Sequence, residues 1–156
     1  MEIRKNRIKQ RLRDGKHVIA IENLNDPDLV ELFAPNDPHC FWFEGEHSIV
    51  NPQNIGDLTR ATDLINATSV VRVPRPEYQL IYHAFDLGAQ GVAVPHVKSK
   101  ADAELVVNAS KFSPLGQRGM FTSRQGIGVD DYFKKANDET FVLVDRKSTR
   151  LNSVTR

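Results

Sequence analysis

Glu44-Gly45-Glu46-His47 puts two carboxylates and an imidazole within four residues, a set that can move protons or ligate a cation. It follows the apolar run CFWF at 40–43, so it stands at the carboxyl end of a strand, where parallel-sheet enzymes gather their reacting groups. Strand alternation sends Glu44 and Glu46 to one face and His47 to the other, unless the strand ends first. The same residues also suit a plain solvated strand end. Arg72 interrupts a second apolar run, VVRVP at 70–74. A guanidinium stays charged and is costly to bury alone, so it must meet a carboxylate or an anionic ligand. A substrate carboxylate fits its planar fork; Asp86 and Glu44 are the protein's own alternatives. Asp86 precedes Leu87-Gly88 at a helix end, where the macrodipole disfavours a carboxylate. That points either to a specific partner, such as an imidazole on a neighbouring strand, or to solvation. Gly116-Gln117-Arg118-Gly119 sets glycine amides beside a guanidinium, a turn able to face an anion. His96, His83 and His39 read as surface or packed histidines, and Cys40 as a small buried hydrophobe.

The elements that must position these residues repeat one pattern, a short apolar run followed by a capped amphipathic segment. HVIAIENL (17–24) leads to Asp26-Pro27, CFWFEGEH (40–47) to Asn51-Pro52, SVVRVP (69–74) to a helix within 77–87, and GVAVPHV (91–97) to Ser99-Lys-Ala-Asp102. Asp26 and Asn51 read as N-caps with proline at the first helical position, and Ser99 to Asp102 as a capping box. VDDYFKKAND (129–138) reads as a helix and TFVLV (140–144) as a fifth strand. Valine-rich runs separated by helices predict parallel strands joined by crossovers, in a barrel or an open sheet. Four glycines, a proline and two arginines make 112–128 a long loop.

With 156 residues the chain can build one core, but a closed (β/α)₈ barrel takes roughly 250. Lys+Arg 21 against Asp+Glu 20 gives no polyanion signal, which argues against nucleic acid as a partner. No apolar stretch approaches the length of a membrane span, and the charged first residues do not form a secretory leader. A single cysteine offers neither a disulfide nor a CxxC metal pair and fits a reducing, cytoplasmic setting. Neither a GxGxxG after the first strand nor a P-loop is present, against an open-sheet nucleotide-binding domain.

Taken together, Asn6 and Gly15, EGEH (44–47), VRVP (71–74), FDLGAQGVAVPHV (85–97), KFSPLGQRG (111–119) and YFKKANDETFVLV (132–144) resemble the amino-terminal part of the HpcH/HpaI aldolases. The resemblance implies an incomplete (β/α)₈ barrel with about five of eight parallel strands over 1–144. It also implies a metal-dependent carbon–carbon lyase, a class II pyruvate aldolase that cleaves or forms 4-hydroxy-2-oxo acids from pyruvate and an aldehyde. The expected cofactor is Mg²⁺, Mn²⁺ or Co²⁺, and the expected assembly a homo-oligomer. By motif, His47 resembles the proton-transfer histidine, Arg72 the keto-acid arginine and Asp86 the histidine's acidic partner. Gly116, Gln117, Arg118 and Gly119 resemble the loop backing the pyruvate site. An acyl-CoA lyase of the citramalyl or malyl type shares the fold, and a non-catalytic half-barrel is the reading from a different class.

The departures concern the metal. Where the family strand ends in glutamine, an apolar residue and a ligating glutamate, this chain has Asp145, Arg146 and Lys147. A lysine cannot serve as a carboxylate ligand, and the second family ligand falls beyond residue 156. The basic run DRKSTRLNSVTR (145–156) matches neither a helix nor a strand pattern. It reads as a non-homologous tail, disordered or artefactual, on a truncated and inactive chain.

Overall fold

The computed structural model describes residues 1–146; Lys147 and the rest of the basic segment lie outside the described residues. Five strands form one sheet: β1 Ala20–Glu22, β2 Cys40–Glu44, β3 Thr68–Arg72, β4 Gly91–Val94 and β5 Phe141–Val144. They pair in chain order, every pair parallel. β1 is shorter than its apolar run, because His17 and Ile19 are exposed at this edge and the pairing with β2 spans only three positions.

The helices are α1 Arg7–Arg13, α2 Pro27–Leu32, α3 Pro52–Leu64, α4 Tyr78–Asp86, α5 Lys100–Ser110 and α6 Tyr132–Glu139. Their starts lie where the side chains dictate. Asp26, Asn51 and Ser99 each accept a backbone N–H of the first turn, with full capping boxes at Asn51/Asn54 and Ser99/Asp102. Such a cap contributes about 1 kcal/mol.

Alternation along the strands separates two faces. Phe41, Phe43, Val71, Val92 and Val94 are fully buried and share one cluster with Val30, Leu58, Ile81 and Val106 from α2, α3, α4 and α5. Truncating either phenylalanine would cost about 3–5 kcal/mol. The other face carries Cys40, Val70 and Ala93, packed with Ile8 of α1 and with the half-buried Val18, Trp42 and Phe141. Strands in unreversed order with successive helices on a single face wind as a barrel does, whereas a doubly wound sheet reverses order and uses both faces. The fold is therefore α/β, five parallel strands of a partial barrel.

Two segments close the amino end of the sheet. Asn6 caps α1, donates from its side chain to the Gln90 carbonyl (3.2 Å) and the Glu139 carbonyl (2.9 Å), and its backbone N–H donates to the Glu139 carboxylate at 2.7 Å. The long loop after α5 packs Phe112 against Tyr132 and Phe133, then sends Arg124 to Thr59 (3.0 Å) and Gln125 to the Gly88 carbonyl (2.8 Å).

Candidate active site

The concave face is the inner one of the partial barrel, which carries Cys40 and Val70; on it Glu44, Arg72 and Ala93 lie level across β2, β3 and β4. Gly45 follows β2, and its N–H donates to the Arg72 carbonyl at 2.9 Å. A Cβ there would run into that same carbonyl, so only glycine keeps the chain pinned to β3 while Glu46 turns inward. Arg72 then meets three carboxylates: Glu44 at 3.2 Å, Glu46 in direct ion-pair contact, and Asp145 at 3.6 Å. The alternative partner Glu44 is thus realised, and Asp86 is not.

Glu44 also accepts from Trp42 Nε1 at 3.2 Å and from the backbone N–H groups of Glu46 (2.8 Å) and His47 (3.2 Å). Burial pushes its carboxyl upward, but these donors and Arg72 outweigh it and hold the group below its ordinary value. Glu46, whose side chain is only 9% exposed, contacts His96 Nε2 at 2.8 Å and lies 3.5 Å from His47 Nε2. His96 therefore belongs to the cluster, contrary to its reading as an ordinary surface or packed histidine. The local signal was its place after Val94-Pro95 at a strand end. Asp145 extends the β5 ladder by one residue, donating to the Val94 carbonyl at 2.9 Å and accepting from Val97 at 3.2 Å.

The expected pairing of Asp86 with an imidazole is overturned. Asp86 ends α4, close to the start of β4, and binds Arg118 Nη2 at 2.8 Å. Arg118 is buried, its guanidinium 4.9 Å from the Phe85 ring centre and 4.5 Å from that of Phe112. A small cavity there is lined by Ala89, Gln90, Arg118 and Thr140, residues that precede β4 and β5. The 116–119 loop therefore does not converge with His47 and Arg72; it caps α5 at the opposite end of the sheet. The N–H groups of Gly116, Gln117 and Arg118 donate to the carbonyls of Phe112, Asn108 and Lys111. At Gly116 any Cβ would strike the carbonyls of Lys111 and Val107. The N–H groups of Gly116, Gln117 and Arg118 are thus occupied and Arg118 Nη2 is on Asp86, while Arg118 Nε has no hydrogen-bond partner among the described residues.

The described residues give a divalent cation no ligand set. Glu44 and Glu46 both face Arg72, and among the described residues no three His, Cys, Asp or Glu side chains converge on a point. Lys147, which the resemblance sets at the family's ligand position, lies outside the described residues. Cys40 lines the same concave face, and burial pushes its thiol up to about 12. His39 is packed at the start of β2, where its Nδ1 accepts from the Ile19 N–H at 2.9 Å. Among the described residues no helix is long and apolar enough to cross a membrane.

The family model for HpcH/HpaI aldolase/citrate lyase matches residues 22–150, the stretch that carries every group at this end of the sheet. The chain belongs to that family. Among curated relatives, a 4-hydroxy-2-oxovalerate aldolase of Novosphingobium aromaticivorans is 30% identical over 145 residues, covering 88% of this chain and 54% of the relative. A hydroxypyruvate/pyruvate aldolase of Sagittula stellata is 32% identical over 149 residues, 92% of this chain and 58% of its own length. The chain thus spans about half the length of the curated relatives it matches. Among solved structures, an HpcH/HpaI family protein from Burkholderia cenocepacia superposes with a TM-score of 0.83 at 28% identity, over 94% of this chain and 61% of that one. A citrate synthase, SbnG, gives 0.77 at 28% identity, over 88% of this chain and 54% of its own. These HpcH/HpaI likenesses agree with the partial barrel read from strand order and helix placement.

Proposed function

We propose that the carboxyl-end cluster serves a carbon–carbon lyase of the pyruvate aldolase type, cleaving or forming 4-hydroxy-2-oxo acids. The observation that carries this reading is Arg72, a guanidinium on the concave face at the strand ends, held by carboxylates that an incoming carboxylate can replace. The aldolase names of the relatives support the choice of 2-keto acids.

In the cleavage direction a base takes the proton from the C4 hydroxyl and the C3–C4 bond breaks. Its electron pair becomes the enolate of pyruvate, C4 departs as an aldehyde, and C3 then takes up a proton. Arg72 holds the keto acid and stabilises the developing enolate oxygen, while His47 carries the hydroxyl proton. Asp86, fixed on Arg118, has no part in these steps. The Mg²⁺, Mn²⁺ or Co²⁺ that the resemblance implies finds no ligand set among the described residues, and the 156-residue polypeptide alone should show no appreciable turnover. Losing about 4 kcal/mol of enolate stabilisation slows a reaction roughly a thousandfold. Homo-oligomeric assembly and a cytoplasmic setting belong to the same proposal.

Binding tests the reading first. Pyruvate, or oxalate as a mimic of its enolate, should bind the monodisperse protein and fail to bind the Arg72→Ala variant; binding indifferent to that change would overturn it. An aldol assay with pyruvate, a short aldehyde and excess divalent cation then tests the expected inactivity. Metal-dependent turnover abolished by Arg72→Ala would overturn the inactivity and keep the aldolase.

A further inference from the structure

We propose that His96 is a ligand-facing residue of this site, set by Glu46 to close over the 2-keto acid from the β4 side; the inference rests on the reading of Arg72 given above. His96 follows Pro95 with φ +58°, in the left-handed region that a non-glycine residue adopts only when its surroundings hold it there. That turn ends the strand and points the ring back across β3 to the loop after β2, where it meets Glu46 at 2.8 Å. One carboxylate therefore spans the sheet end. Glu46 touches Arg72 with one oxygen and the His96 ring with the other.

The two histidines on Glu46 are not equivalent. His47 lies at 3.5 Å with its side chain 69% exposed, whereas His96 is hydrogen-bonded and 43% exposed. A carboxylate only accepts, so Nε2 of His96 carries the proton toward Glu46. Of the charged groups at this end of the sheet, Glu46 touches the ring, Arg72 lies on the other oxygen of Glu46, and Glu44 and Asp145 share Arg72. A keto acid on Arg72 enters among them, so its keto and hydroxyl oxygens come to the face that His96 borders. The ring can orient them while His47 carries the hydroxyl proton.

Site-resolved carbethoxylation by diethyl pyrocarbonate, with and without pyruvate, tests this on the intact protein. Pyruvate should slow labelling of His96 several-fold and leave His17, exposed at the β1 edge, unchanged. The protection should vanish in Arg72→Ala, and Glu46→Gln should speed His96 labelling without pyruvate while His39, buried at the start of β2, stays unlabelled as it does only in the folded chain. Protection of His47 alone, or His96 protection that persists in Arg72→Ala, overturns the inference. So does His96 labelling indifferent to Glu46→Gln. Protection of neither histidine overturns the reading of Arg72, and the inference with it.

Discussion

Arg72 and Arg118 both meet a carboxylate inside the same fold, at opposite ends of one sheet. Arg118 has one partner, Asp86, and aromatic rings against its guanidinium, with 2% of its side chain exposed. Arg72 has three carboxylates around it, polar neighbours, and 18% of its side chain exposed. A charge matched one to one and enclosed by rings has no competitor and no route for exchange. A charge with more acceptors than it can satisfy, at an open rim, can trade one for a ligand at small cost. Arginine type and carboxylate proximity are common to both; the stoichiometry of partners and the wall material separate a staple from a site.

The largest effect is expected where the enclosed pair is broken. Arg118→Ala leaves Asp86 without its cation and removes the filling between Phe85 and Phe112, so urea unfolding should register a loss of about 3–5 kcal/mol. Lost pyruvate binding at unchanged stability would instead erase the distinction between the two ends. Next comes Arg72→Lys, which keeps the charge but not the fork. Keto-acid affinity should fall about tenfold, or 1.4 kcal/mol, with folding stability altered by less than about 1 kcal/mol. Equal losses of stability in the two arginine variants would break the comparison.

The smallest effect is a slope. Glu44 is held below its ordinary value, so near that value the unfolded chain binds more protons than the folded one, and stability rises with pH. The contribution is complete above the ordinary value of about 4.3 and disappears as acid carries the solution through the folded value. Urea midpoints from about pH 4.3 downward should show this slope, and Glu44→Gln should flatten it. An unchanged slope would mean that the donors around Glu44 do not hold its charge in solution.

What could be read from the residues was local. Asp26-Pro27, Asn51-Pro52 and Ser99 with Asp102 carry their own capping chemistry within four residues, and valine-rich runs define buried parallel strands without reference to distant partners. The position of EGEH at a strand end, and the need of Arg72 for carboxylates, followed from the same local logic. The partner of Asp86 did not. Arg118 lies 32 residues away, beyond a turn whose path depends on packing between α5 and the ring of Phe112. His96 was missed because a left-handed residue after a proline leaves no trace in hydrophobic periodicity, and its partner sits in the loop after β2, two strands across the sheet.

The cap at Asn6 bears on the order in which this chain acquires its structure. Its amide and side chain are satisfied by Glu139, 133 residues later. On the ribosome the first helix is thus synthesised long before its seat exists, and Ile8 must wait for the strands whose floor it seals. Contacts of such separation come late in assembly and slow it. Until they form, the nascent chain carries α1 undocked and an open inner wall, the interval in which a chaperone or an aggregation partner has its opportunity.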